Sequence, residues 1–295
     1  IIGLWFGNYS LAEDNLDAIL ADLKELPGQL SISVIKNNQE KVFSYHDQKK
    51  LAVGSTFKLQ VLKELYKEIE NNNHNWSDTV KLDQQNKSLP SGILQDWPAG
   101  TPVTLRTLSN LMISQSDNTA TDHLIDYLGR EKLESGLDDL NLPFLKTREF
   151  FILKFSNDEQ LRKNYLNSSL TEKRELLAEL SGRELKNIDV GDEPVLIEDL
   201  EWYFSTEELA ELIYQLKDAP EIKINSGLVD KNEYYLAGYK GGSEPGVLQF
   251  THLLQKTKNA DIYAISLTIN NSEQAVDGQK AVQLTSRLIS AVVGL

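Results

Sequence analysis

The sequence predicts an α/β (α+β) fold: a three-layer αβα sandwich with an antiparallel sheet of about five strands, joined to a helical lobe. Three observations predict it. Strand-like segments gather towards the two ends of the chain, helical stripes fill the middle, and a helical stripe stands near each terminus. The terminal helices are expected to cover the two surfaces of the sheet. The domain division that follows is one lobe from residues 1–53 and 204–295, and a mainly helical lobe from 54–203.

Residues 1–9 read as a short apolar strand or linker. Leu11, Leu16, Ile19, Leu20 and Leu23 make a helical stripe that Pro27-Gly28 stops. Leu30 to Ile35 and Lys41 to Tyr45 read as a hairpin around a polar turn. A buried helix then starts near Ser55 and runs to about Ile69. Residues 76–103, with their Pro, Gly and Ser clusters, read as loop with short pieces of order. Thr104 is placed to cap a helix carrying Leu105, Leu108, Leu111 and Met112. Another helix follows Ser116-Asp117-Asn118 and closes at Gly129. From 130 to 203 charge density rises, and helices with surface loops are expected. Ser205 and Glu208 form a capping box for a helix ended by Pro220. Tyr234–Lys240, Val247–Gln255 and Asp261–Ile269 read as strands, with 241–246 as the first turn. A last helix is expected over about Glu273–Val293.

Composition narrows the function. The chain has 295 residues, 25% of them charged, with a net charge of −14. That field repels nucleic acid and anionic membrane, so neither is expected as a partner. An anionic small substrate would need a local positive site. There are no cysteines, which removes thiol nucleophiles, disulfides and Cys-ligated zinc. The four histidines lack metal-ligand spacing, so neither metal nor cofactor is expected. No apolar run is long enough to span a membrane. The Ile-Ile-Gly-Leu-Trp-Phe start, without Met, reads as a chain cut after an export signal or at a domain boundary.

Three segments carry chemistry. Ser55 and Lys58, at i and i+3, share a helix face, which sets an ammonium beside a hydroxyl nucleophile. An ordinary Ser-capped helix has the same pattern. Ser116-Asp117-Asn118 stands at a helix–helix junction and could equally be a simple cap. Lys240-Gly241-Gly242 ends a strand and could equally be a turn with a solvated Lys.

Taken together and in order, these resemble the Ser-x-x-Lys, Ser-Asp-Asn and Lys-Thr-Gly set of class A serine β-lactamases and penicillin-binding proteins. The 61-residue step from Ser55 to Ser116 also matches the family, and Thr147-Arg148 resembles the start of its Ω loop. The resemblance implies an acyl-enzyme at Ser55, with Lys58 and Ser116 as its other catalytic residues. It implies that Asn118, Lys240, Gly242 and Ser243 bind substrate, the backbone N–H groups of Ser55 and Ser243 forming the oxyanion hole. The expected substrate is a small β-lactam, or a related amide or ester, bearing a carboxylate. A periplasmic or secreted monomer is expected. A D-Ala-D-Ala peptidase or esterase, and a non-catalytic binding module of the same fold, stay open as alternatives.

The sequence departs from the family twice. Gly241 stands where Thr or Ser is usual, with Ser243 as the nearest substitute hydroxyl. The Ω loop lacks its usual Glu: one register puts Lys163 there, another Leu153. Glu149, Asp158 and Glu159 are candidate replacements, and the Ω-type loop reads as rebuilt. Lys240 to Val247 is also similar to a branch of these serine hydrolases that carries a small extra N-terminal domain.

Overall fold

The computed structural model describes residues 7–183, 185 and 188–294, with side chains from Leu16 onward. In chain order the elements are α1 (Gly7–Lys24), β1 (Gln29–Lys36), β2 (Glu40–Tyr45), β3 (Leu51–Ala52), α2 (Lys58–Glu70), β4 (Thr79–Lys81), β5 (Pro102–Thr104), α3 (Leu105–Ser114) and α4 (Asn118–Leu128). There follow α5 (Arg130–Glu134), α6 (Thr147–Phe155), α7 (Glu159–Asn167), α8 (Leu170–Glu179), β6 (Tyr203–Phe204), α9 (Thr206–Gln215), β7 (Leu236–Glu244), β8 (Val247–Gln255), β9 (Ile262–Asn270) and α10 (Gly278–Val293). The segment 1–9 falls outside the described residues up to residue 6, and residues 7–9 open α1.

The main sheet is antiparallel in the order β2-β1-β9-β8-β7. The two ends of the chain meet at its centre, where Ile32 faces Leu267 and Val34 faces Ile265 across β1 and β9. One face is apolar. Ile32, Val34, Leu254, Ile265 and Leu267 pack there against Leu16, Ile19 and Leu23 of α1 and Leu284 and Leu288 of α10. The terminal helices therefore share one face instead of taking one each, and α1 packs directly on α10.

The other face of the sheet explains why. It carries buried polar side chains, Ser31, Ser33, Thr251, Ser266 and Thr268, which suit a hydrogen-bonded neighbour better than an apolar helix. α9 supplies that layer, with the Ser31 and Thr206 hydroxyls 2.8 Å apart. The capping box at its start forms as the sequence predicts, Ser205 Oγ accepting from Glu208 N. Beyond α9 lies a second apolar cluster, built around α2, α3, α4 and α6.

Several boundaries differ from expectation; α9 stops at Gln215, short of Pro220. β7 runs on through Gly241-Gly242-Ser243 to Glu244, so the turn to β8 is only Pro245-Gly246. The glycines are strand residues that lack side chains because neighbours fill the space. A Cβ on Gly242 would stand 2.2 Å from Val53 O. At the C-terminal end, α10 starts at Gly278 because Asp277 caps it, accepting from Lys280 N. Asn271 Oδ1 ties Glu273 N and Gln274 N into a separate turn.

Candidate active site

Ser55 lies in a 3₁₀ turn, Gly54–Phe57, that leads into α2. In a 3₁₀ turn, residues i and i+3 eclipse, so Lys58 stacks on Ser55 and its Nζ lies 3.2 Å from the Ser55 hydroxyl. Gly54 makes the turn possible: its φ is 48°, in the left-handed region that glycine adopts readily. Ser55 caps no helix. The next residue anchors the turn to the sheet, Thr56 Oγ1 donating to Gln249 Oε1 at 2.6 Å. Gln249 Nε2 in turn donates to Thr251 Oγ1 and Ser266 Oγ on the polar face.

Lys58 is fully buried. Its Nζ reaches Ser116 O at 2.7 Å, Ser116 Oγ at 3.0 Å and Asn118 Oδ1 at 2.6 Å. Burial, and then the nearby Lys240 ammonium, hold its pKa well below the usual lysine value. Lys240 comes from β7, is also buried, and is brought down to about 7 by that burial. It donates to Ser116 Oγ at 3.2 Å and to its neighbour's carbonyl, Gly241 O.

The loop before α4 aims Ser116. Asp117, not Ser116, caps the helix, Oδ1 accepting from Ala120 N at 2.8 Å. Asp117 Oδ2 accepts from Ile93 N and Leu94 N, which fastens the 91–94 loop beside the site. Ser116 itself has φ 55°, an uncommon backbone for a non-glycine residue. Asn118 Nδ2 donates to Leu89 O at 2.7 Å, so this side chain bridges Lys58 and the loop.

These residues open on one cavity of about 360 Å³ whose lining includes Ser55, Ser116, Asn118, Gly242 and Ser243. Gly242 packs under the turn that carries Ser55, where a Cβ would stand 2.6 Å from Ser55 N. The structure thus brings together all seven predicted site residues; Lys58 and Lys240 reach the cavity wall through Ser116.

It does not bring the three candidate carboxylates there. Glu149 is a helix cap: Oε2 accepts from Lys146 N and Oε1 pairs with Arg130 at 2.6 Å. Asp158 caps α7 and pairs with Arg183, and Glu159 pairs with Lys163 on the surface. None lines the cavity. Among the described residues the carboxylate that does is Glu244, which sequence reasoning missed. Its partners are a buried Lys154 and Glu201, two carboxylates on one ammonium. Burial and the adjacent Glu201 push Glu244 well above the usual carboxylate range. Residues 154, 201 and 244 have no local spacing that would have linked them. Strand alternation, once β7 is extended, does put Glu244 on the face of Lys240 and Gly242.

Trp202 and Tyr239 also line the cavity and were missed. Trp202 stacks on Phe57, with ring centroids 3.8 Å apart, and donates to Leu145 O.

Comparison with known proteins bears on the family and the fold. Residues 12–189 match the model of a family described as "Beta-lactamase enzyme family". β-Lactamase VEB-1 of Pseudomonas aeruginosa is 24% identical over 163 residues, 53% of this chain. That match spans about half the relative's length, 52%. A β-lactamase from Sphaerobacter thermophilus superposes with a TM-score of 0.64 at 17% identity, covering 95% of this chain and 96% of that one. A single-residue variant of PBP-A, solved as an acyl-enzyme complex with penicillin-G, gives 0.64 at 13% identity, with 96% and 97% covered. At these identities the structures share a fold.

Proposed function

The chain belongs to the β-lactamase enzyme family, and on that premise we propose that it is a serine hydrolase that forms an acyl-enzyme at Ser55. The substrate is a β-lactam or a related amide bearing a carboxylate. The observation that carries this reading is Lys58: a buried amine, depressed in pKa, 3.2 Å from the Ser55 hydroxyl.

Neutral Lys58 takes the proton as Ser55 Oγ attacks the carbonyl carbon. The oxyanion faces the backbone N–H groups of Ser55 and Ser243; one such donor is worth about 10²–10³ in rate. The proton passes from Lys58 through the Ser116 hydroxyl to the leaving nitrogen as the C–N bond breaks. Lys240 supplies the positive charge for the substrate carboxylate. Water then cleaves the ester, with Lys58 taking its proton and returning it to the departing Ser55 Oγ. In this reading the lobe of residues 54–203 brings the nucleophile, and the lobe of 1–53 and 204–295 brings Lys240 and the oxyanion strand.

A second reading is favoured by Glu244. The carboxylate at the cavity is engaged by Lys154 and Glu201, so no carboxylate among the described residues is poised to activate water. Slow deacylation, as in a penicillin-binding peptidase, fits that arrangement. We assign the protein to the periplasm or the exterior, as a monomer; no helix among the described residues is long and apolar enough to cross a membrane.

Incubation with a chromogenic cephalosporin, followed by intact-mass measurement, tests both. An adduct on the native chain that is absent from Ser55→Ala is expected. Turnover separates hydrolase from slow acceptor, and native protein with neither adduct nor turnover removes the β-lactam reading.

A further inference from the structure

Gly241 has no side chain because another residue occupies the place. A Cβ built there would stand 2.0 Å from the Tyr239 hydroxyl oxygen and 2.7 Å from Tyr239 Cζ. Tyr239 and Gly241 are two apart on β7 and share a face of the strand. The phenol leans along the strand and ends over Gly241. On its other side the ring is held by His252, with centroids 4.6 Å apart.

Tyr239 lines the cavity that holds Ser55. Its hydroxyl makes no hydrogen bond with any described residue, although burial pushes Tyr239 up to about 12. It therefore stays protonated at any working pH and can donate. A half-buried donor of this kind wants an acceptor. Lys240 touches the same residue from its carbonyl side, donating to Gly241 O. A phenol and an ammonium thus flank the backbone of one residue, at the strand edge nearest the nucleophile turn.

We propose that Tyr239 is a substrate-contacting residue, whose phenol hydroxyl donates a hydrogen bond to the substrate's carboxylate beside Lys240. Gly241 and Tyr239 form a matched pair: the small residue admits the long one. This deepens the functional reading above and rests on the same site.

Its test does not need turnover. Dissociation constants for benzylpenicillin and for its methyl ester are measured by calorimetry on Ser55→Ala and on Ser55→Ala/Tyr239→Phe. The acid is expected to bind the first protein better than the ester does. Tyr239→Phe should weaken the acid about tenfold or more, as loss of a hydrogen bond to a charged group implies, and leave the ester unmoved. Tyr239→Ala/Gly241→Thr, which clears the space and returns a hydroxyl from residue 241, should recover most of the loss. Equal affinities with Tyr and Phe, or an equal loss for acid and ester, overturn the proposal. Failure of the acyl-enzyme reading would show separately, as a missing mass adduct on native protein that still prefers the acid.

Discussion

Lys58 and Lys240 converge on one oxygen. Their ammonium nitrogens lie 3.0 and 3.2 Å from Ser116 Oγ, approaching from α2 and from β7. Two buried cations so close disfavour each other's protons.

One lysine must be neutral and the other charged for acylation as proposed, so kcat/KM for a carboxylate substrate should be bell-shaped in pH. It rises as Lys58 loses its proton and falls as Lys240 loses its own near 7. Lys240→Arg, charged throughout, should move the alkaline limb upward and leave the acid limb. A neutral aryl ester should lack the alkaline limb. Lys58→Ala should slow adduct formation by roughly 10²–10⁴.

Stability should carry the opposite mark of Lys240. Unfolded, the residue stays protonated up to about 10.4; folded, only up to about 7. Between those values the unfolded chain binds more protons, so stability rises with pH on this residue's account, and below about 7 the whole penalty is present. Lys240→Met should flatten that rise and raise stability at pH 7 by about 0.5–2 kcal/mol, read in thermal melts, while activity falls.

Gly242→Ala should spare the fold better than the reaction. The added methyl meets Val53 O and Ser55 N, which are backbone atoms that cannot swing aside. β7 must back away from the turn that carries Ser55. A loss of 10² or more in acylation is expected from displacing an oxyanion donor, with the circular dichroism spectrum unchanged.

Asp122 joins α4 to α6. It is fully buried, and accepts from Thr147 N, Thr147 Oγ1 and Arg148 N at 2.7–2.8 Å. Asp122→Ala leaves those donors unsatisfied and should cost about 3–5 kcal/mol in denaturant unfolding. Asp122→Asn keeps one acceptor oxygen and should cost less.

Lys154 holds two carboxylates. Lys154→Met should destabilise by about 3–5 kcal/mol, because Glu201 and Glu244 are then buried together without a cation. The raised pKa of Glu244 means the folded state binds the extra proton above the ordinary carboxylate range. Stability should therefore fall as pH rises through that window. Glu244→Gln should remove the slope, seen by comparing unfolding at pH 5 and pH 8.

The order of elements was legible in the sequence because most of them announce themselves locally. Thr104, Ser205 and Glu208 cap as their types and spacings predict. Ser55, Lys58, Ser116 and Lys240 could be found because their types recur in a known order. What was hidden depends on partners far along the chain. Gly241-Gly242 looks like a turn until Val53 and Tyr239 are seen filling the space above the glycines. Glu149 looks like a spare base until Arg130 and the Lys146 amide are seen on it. The polar inner face of the sheet, which sends both terminal helices to the opposite side, shows only as scattered Ser and Thr in strands.

The edge position of β7 has a consequence for folding. The Ser55 turn stands early in the sequence, whereas β7, the strand packed against it, comes late and lies at the sheet edge beside β8. Contacts of such long sequence separation form slowly, after much of the chain is ordered. On the reaction proposed above, a partly folded molecule, or one whose β7 has frayed, is expected to carry Ser55 as an inert hydroxyl. Covalent labelling of that serine would count native molecules one by one, and its time course during refolding would report the moment at which β7 docks.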